Sequence, residues 1–210
     1  MVSRPAAGGG RWVEVDPERL GRWLSGFVER HGDVEARPLP DGLELAAADG
    51  EVAECRLLVG AAFDLPGLVA EALRPRRLGL LLVRRGGFGV GIAEGPELIG
   101  SKVGSRYVQS RTAAGGWSQQ RFARRRDNQA RAAAGETADT VLRLLAPEAK
   151  ALDALVTGGD RRLVDDVLAD PRLAALRELR VDRFLDVPDP KLAVLKAAVT
   201  AARKVRIRLP

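Results

Sequence analysis

The run Leu78-Gly79-Leu80-Leu81-Leu82-Val83 is the feature that most narrows what this chain can fold into. Six successive residues without a polar side chain, closed by Arg84-Arg85-Gly86-Gly87, demand burial on both faces. The segment Phe88–Ala93 repeats the pattern after the turn. Two such runs joined by glycines predict a buried β-hairpin over Leu78–Arg84 and Phe88–Ala93. The spacing Gly87-x-Gly89-x-Gly91 resembles a nucleotide loop only superficially, because no helix start follows it and a hairpin accounts for the glycines.

A strand buried on both faces needs helices above and below it, and the C-terminal third supplies them. A strand at Ala154–Val156 is followed by Thr157-Gly158-Gly159-Asp160, a βα turn capping a helix through Leu168. A phosphate at that helix start is the less favoured reading of the turn. A strand near Arg183–Val187, a helix over Pro190–Ala202 and a strand at Val205–Leu209 complete the alternation. This predicts an α/β fold, a layered mixed sheet with flanking helices. Between the two regions, Glu97–Val103 and Arg106–Arg111 read as a second hairpin turning at Gly104-Ser105. A helix after Gln119 continues through Gly135 or restarts at Glu136, with Val141, Leu142, Leu144 and Leu145 on its apolar face.

The first 75 residues pattern differently. Asp16-Pro17-Glu18 is a helix start, and Leu20, Trp23, Leu24, Phe27 and Val28 follow at helical spacing until Gly32. Short strands are expected at Val34–Arg37, Leu43–Ala47 and Glu51–Leu58, turning at Pro40-Asp41-Gly42 and Asp49-Gly50. A short helix, Leu65–Leu73, is closed by Pro75. The expected organisation is therefore a disordered tail over 1–10, an N-terminal α+β extension over 11–75 and a main domain over 76–210, or one continuous domain over 11–210.

Several function classes are excluded by what is scarce. The chain has one cysteine, Cys55, and one histidine, His31. No internal disulfide and no Cys-built metal site can form, so no metal or other cofactor is expected. A Ser-His-Asp triad would have to use His31, which reads better as a partner for a helix C-terminus. The longest aliphatic stretch is far short of the roughly 20 residues that span a bilayer, and Met1–Gly10 has no apolar signal region. A cytoplasmic setting is expected.

Charge points to a partner once it is located. The chain carries a net +6. Between Lys102 and Arg131 eight cations stand against the single acid Asp127, a local +7 that leaves −1 for everything else. Clustered arginine suits a phosphate backbone, since guanidinium groups grip phosphate oxygens in pairs and displace condensed counterions. A solvated Arg-rich helix face is the plain alternative. Inside the basic stretch lies Thr112-Ala113-Ala114-Gly115-Gly116-Trp117-Ser118-Gln119-Gln120. Glycines allow close approach, Trp117 can stack, the amides can hydrogen-bond, and Lys102, Arg106, Arg111, Arg121, Arg124, Arg125 and Arg126 can hold phosphates. Those residues are the candidate RNA contacts.

The pattern Gly115-Gly116-x-Ser118-x-x-Arg121-Phe122-Ala123-Arg124-x-Arg126 resembles the Gly-Gly-Gln loop and following helix in the central domain of eukaryotic and archaeal class-I peptide release factors. Gly135-Glu136-Thr137-Ala138 and Leu155-Val156-Thr157-Gly158-Gly159 extend the likeness, so it covers roughly Leu78 to Pro210. Aligned on Arg-Phe-Ala-Arg, the release-factor glutamine is replaced by Trp117. A glutamine follows two residues later, and Gly116-Trp117-Ser118-Gln119 is similar to the Gly-x-x-Gln loop of Vms-like tRNA hydrolases. The resemblance is thus to a bacterial branch of that release-factor-like family. It implies a ribonuclease-H-like layered fold and hydrolysis of peptidyl-tRNA on stalled ribosomes or large subunits. Gln119 would position water, with Gln120 the competing amide, and Gly115 and Gly116 would let the loop enter the ribosomal centre. The implied partners are the large ribosomal subunit and peptidyl-tRNA, for a protein acting as a monomer. The alternative is a non-catalytic ribosome- or RNA-binding module of the same fold.

Overall fold

The aliphatic run becomes the middle strand of a five-stranded sheet. The computed structural model describes residues 2–5, 9–105 and 132–210, with backbone only for 2–4. It divides into two compact units, Met1–Pro75 with Thr200–Pro210, and Arg76–Val199.

In the second unit β6 (Arg77–Arg84), β7 (Gly87–Glu94) and β8 (Glu97–Ser105) form an antiparallel meander. On its other side β6 pairs in parallel with β9 (Ala154–Gly159), which pairs in parallel with β10 (Arg180–Leu185). The order β10-β9-β6-β7-β8 is a mixed sheet of the ribonuclease-H-like kind. Its pleat sends Leu81, Val83, Phe88, Val90, Ile92 and Leu155 to one face. There they meet Ala138, Val141 and Leu145 of helix α3 (132–144 and its end) and Val164, Val167 and Leu168 of α4 (Arg161–Leu168). The short α5 (Ala174–Glu178) adds Leu176. The opposite face carries Leu80, Leu82 and Val156, all fully buried. Leu195 of α6 (Leu192–Arg203) lies over it, against Gly89 and Gly91. Each buried leucine contributes about 1.5–3 kcal/mol relative to exposure, so a strand covered on both faces is the strongest organiser in the chain.

Several sequence expectations are refined here. Gly104 and Ser105 do not turn; β8 runs through both. A side chain at Gly104 would strike the Phe88 ring, so this glycine serves close packing across the ladder. Of the two readings at Gly135, helix α3 takes the continuous one and runs through that glycine, while the stretch from Gln119 to residue 131 lies outside the described residues. The strand expected at Arg183–Val187 begins three residues earlier, at Arg180. The Gly87-x-Gly89-x-Gly91 spacing is also packing: a Cβ at Gly89 would lie 3.1 Å from Leu195 Cγ.

In the first unit α1 (Pro17–His31) and α2 (Leu65–Leu73) pack on a six-stranded sheet. Its strands are β1 (Val2–Pro5), β2 (Arg11–Val15), β3 (Val34–Leu39), β4 (Gly42–Ala47), β5 (Val52–Arg56) and β11 (Val205–Leu209). Two expectations are corrected. Residues 2–5 are an edge strand paired antiparallel with β2, not a disordered tail. The last strand joins this sheet between β2 and β5, both antiparallel, instead of continuing the α/β alternation. Leu20, Leu24 and Phe27 of α1 pack with Val13, Leu43, Leu45 and Ile207 in its core.

Candidate functional site

The basic segment is carried between β8 and α3, and the structure describes both anchors. At one end Ser105 pairs with Gly87 and Gly104 with Phe88. Gly87 has φ +155°, and a Cβ there would overlap the Gly104 carbonyl oxygen, so only glycine allows the two strands to close at this point. At the other end Thr137 and Thr140 are buried in α3 and donate their hydroxyls to the carbonyls of Ala133 (2.8 Å) and Glu136 (3.1 Å). Arg172 donates to Asp139 on α3 (2.9 Å) and to Asp170 (2.6 Å), holding the Asp170 carboxyl below its ordinary range. Because Val141 and Leu145 share one cluster with Phe88, Val90 and Ile92, both anchors belong to one packed layer.

Lys102 lies on β8 with its side chain exposed, in register with Val90. Arg106, Arg111, Gly115, Gly116, Trp117, Gln119, Gln120, Arg121, Arg124, Arg125 and Arg126 lie outside the described residues.

The other sequence candidates have structural explanations. At the Thr157–Asp160 turn, Asp160 Oδ1 accepts from Leu163 N at 3.3 Å, so the chain's own carboxylate occupies the α4 N-terminus. Gly159 has φ +98° and would place a Cβ into the Val83 carbonyl. His31 hydrogen-bonds Asp49 at 2.8 Å and lies with its ring tilted against Phe27, tying the end of α1 to the β4–β5 hairpin instead of capping the helix; that end closes with Gly32 N on Val28 O. Among the described residues no three His, Cys, Asp or Glu side chains gather as a metal site, and no helix is long and apolar enough to cross a membrane.

One feature of the frame has no local sequence signal. Arg77 donates to Glu94 (3.0 Å) and Glu148 (2.9 Å), while Asp153 receives Arg77 N (2.7 Å) and Arg76 (3.3 Å). These contacts tie the start of β6 to residues 71 and 76 positions away, which no spacing rule can reveal.

Residues 76–208 match the family described as Actinobacteria/chloroflexi VLRF1 release factor, and the chain belongs to that family. No curated protein matches the chain. Among solved structures it is similar to an archaeal translation termination factor, aRF1, with 17% identity and a TM-score of 0.44, covering 75% of this chain and 48% of that one. It is also similar to Pelota from Archaeoglobus fulgidus, at 13% identity and TM-score 0.35, covering 97% and 65% of the two chains. For Dom34 from S. cerevisiae, described as a translation termination-like factor, the figures are 8%, 0.34, 97% and 69%. The chain spans about half the length of the archaeal termination factor.

Proposed function

We propose that this protein is a peptidyl-tRNA hydrolase that releases nascent chains from stalled ribosomes or large subunits. The family match over residues 76–208 is the observation that carries this reading. The loop sequence Gly116-Trp117-Ser118-Gln119 supports it. In this account Gly115 and Gly116 let the loop enter the ribosomal centre. The neutral amide of Gln119, with a donor and an acceptor, orients water toward the ester carbonyl carbon. Water oxygen bonds to that carbon, the bond to the ribose oxygen breaks, and the ribose oxygen leaves with a proton. Lys102, Arg106, Arg111, Arg121, Arg124, Arg125 and Arg126 bind RNA phosphates, and Trp117 stacks on a base. No metal or other cofactor takes part, and the protein acts as a cytoplasmic monomer.

The test is incubation of the purified protein with stalled large subunits carrying a labelled nascent chain. Free labelled peptide supports the hydrolase. Binding without release favours a non-catalytic ribosome-binding module instead, a reading supported by Trp117 standing where release factors have glutamine.

A further inference from the structure

Helix α1 carries a row of cations that the fold does not use. Its inner face buries Leu20, Leu24 and Phe27, and its outer face exposes Arg19, Arg22 and Arg30. Arg22 and Arg30 stand four residues before and after Gly26, and Arg19 seven before it, so the three arginines and the glycine share one stripe. None of the three has an ion-pair partner among the described residues. Elsewhere in the first unit, every described arginine side chain except Arg11 meets a carboxylate or, for Arg206, the Trp12 ring at 4.4 Å. Glu29 flanks the stripe, while Glu18 is held by Arg203 at 2.7 Å.

Two features of this stripe act against the helix itself. Arg19 sits in the first turn, where the helix dipole favours acids, and lies three residues from the like-charged Arg22. Glycine is the least favourable helix-interior residue after proline, yet a Cβ at Gly26 would meet only the flexible tip of Arg30, at 3.2 Å. Packing therefore does not require Gly26. A missing side chain between guanidinium groups is what a closely approaching polyanion needs.

We infer that the Arg19–Arg22–Gly26–Arg30 face of α1 is a second RNA-binding surface that grips a phosphate backbone, with Gly26 at the point of closest approach. Eleven residues of helix rise about 16 Å, the length of roughly five phosphates along one strand. Guanidinium groups bind such phosphates in pairs of hydrogen bonds. The inference rests on the ribosomal reading only for which RNA the surface meets.

The experiment uses the full chain, a short fluorescein-labelled RNA duplex and purified large ribosomal subunits, each titrated over a range of salt. The triple variant Arg19→Gln/Arg22→Gln/Arg30→Gln should bind the duplex at least tenfold more weakly at low salt. Its slope of log affinity against log salt should fall by roughly 2–3, about 0.9 for each lost phosphate contact. Gly26→Gln should raise the thermal midpoint yet weaken duplex binding severalfold, a pairing of effects that a purely structural role would not produce. Variants that bind duplex and subunits like the parent at every salt concentration would overturn the inference and leave the release reading intact. A triple variant that keeps duplex binding but loses the subunit would also overturn it, in favour of a protein partner. A parent that never releases peptide, while the variants still lose duplex binding, would sink the hydrolase and uphold this surface.

Discussion

Ser105 stands in register opposite Gly87, the last pairing of β8, at the end of the sheet where β6 turns into β7. The segment 106–131 therefore starts from a fixed point on the ladder. It returns to α3, whose Val141 and Leu145 pack on the same layer as Phe88 and Val90. The proposed function would depend on such a frame, because small misplacements of a positioning group cost large factors in rate.

Gly104 is a close-packed joint of that frame, set against the Phe88 ring. Gly104→Val would drive a branched side chain into the Phe88 ring and should cost about 1–3 kcal/mol, as overpacking does. Peptide release should fall with it. The double variant with Phe88→Leu should recover part of both losses, read from urea unfolding and the release assay. A Gly104→Val protein as stable as the parent would show that the joint is loose.

Thr157 is fully buried, and its hydroxyl has no hydrogen-bond partner among the described residues. Thr157→Val keeps the shape and removes the unsatisfied group, so it should stabilise the protein by about 1 kcal/mol. Its neighbour in register, Leu81, is the contrast: Leu81→Ala should cost about 2–5 kcal/mol. Urea midpoints check both. A destabilised Thr157→Val would mean that the hydroxyl is satisfied in solution, for instance by water.

Cys55 is buried in the first unit, and burial pushes its thiol up to about 12. At neutral pH the thiol is protonated and shielded, so a thiol-specific disulfide reagent should react only as the protein unfolds. Titration in native buffer and in denaturant measures this. Rapid native labelling would contradict the core placement.

The acid limb of stability should involve Glu18 and Asp49. Glu18 is held below its ordinary value first by the hydrogen bond from Arg203, and Asp49 first by the Glu51 N–H and then by His31. Carboxylates depressed in the folded state contribute stability that is fully present above their ordinary values near 4, and lose it as pH falls through the lower folded values. The double variant Glu18→Gln/Asp49→Asn should therefore lose less stability than the parent between neutral pH and pH of about 3. Equal losses would mean that neither pair matters.

Much of this architecture is legible in the residues, and the exceptions have a common cause. The hairpin at Leu78–Ala93 and the start of α1 at Asp16-Pro17-Glu18 follow from local patterns, and the structure has both. The final Val205–Leu209 alternates as a strand, but nothing local names its partner, because β2 lies about 190 residues away in sequence. Val2–Pro5 pairs with the nearby β2, yet four residues that include a proline are too few to show an alternation. Gly104-Ser105 read as a turn because glycine serves both turns and close packing, and only the Phe88 ring distinguishes them. Of the candidate site, the charge and the Gly-x-x-Gln spacing are legible, and Lys102 is exposed on the strand that leads to it. Whether Gln119 or Gln120 serves the proposed hydrolysis is a question that no spacing encodes.

That question is also the most direct test of the central claim. Peptide release from stalled large subunits should be measured for the parent, Gln119→Ala, Gln120→Ala and the double variant, alongside subunit binding. If Gln119 orients the attacking water, its loss should cost roughly 2–4 kcal/mol of barrier, by analogy with one preorganised polar group. The release rate should then fall by a factor of about thirty to a thousand, with binding nearly unchanged. Gln120→Ala should release close to the parent rate. Normal release from both single variants and from the double variant would contradict the account.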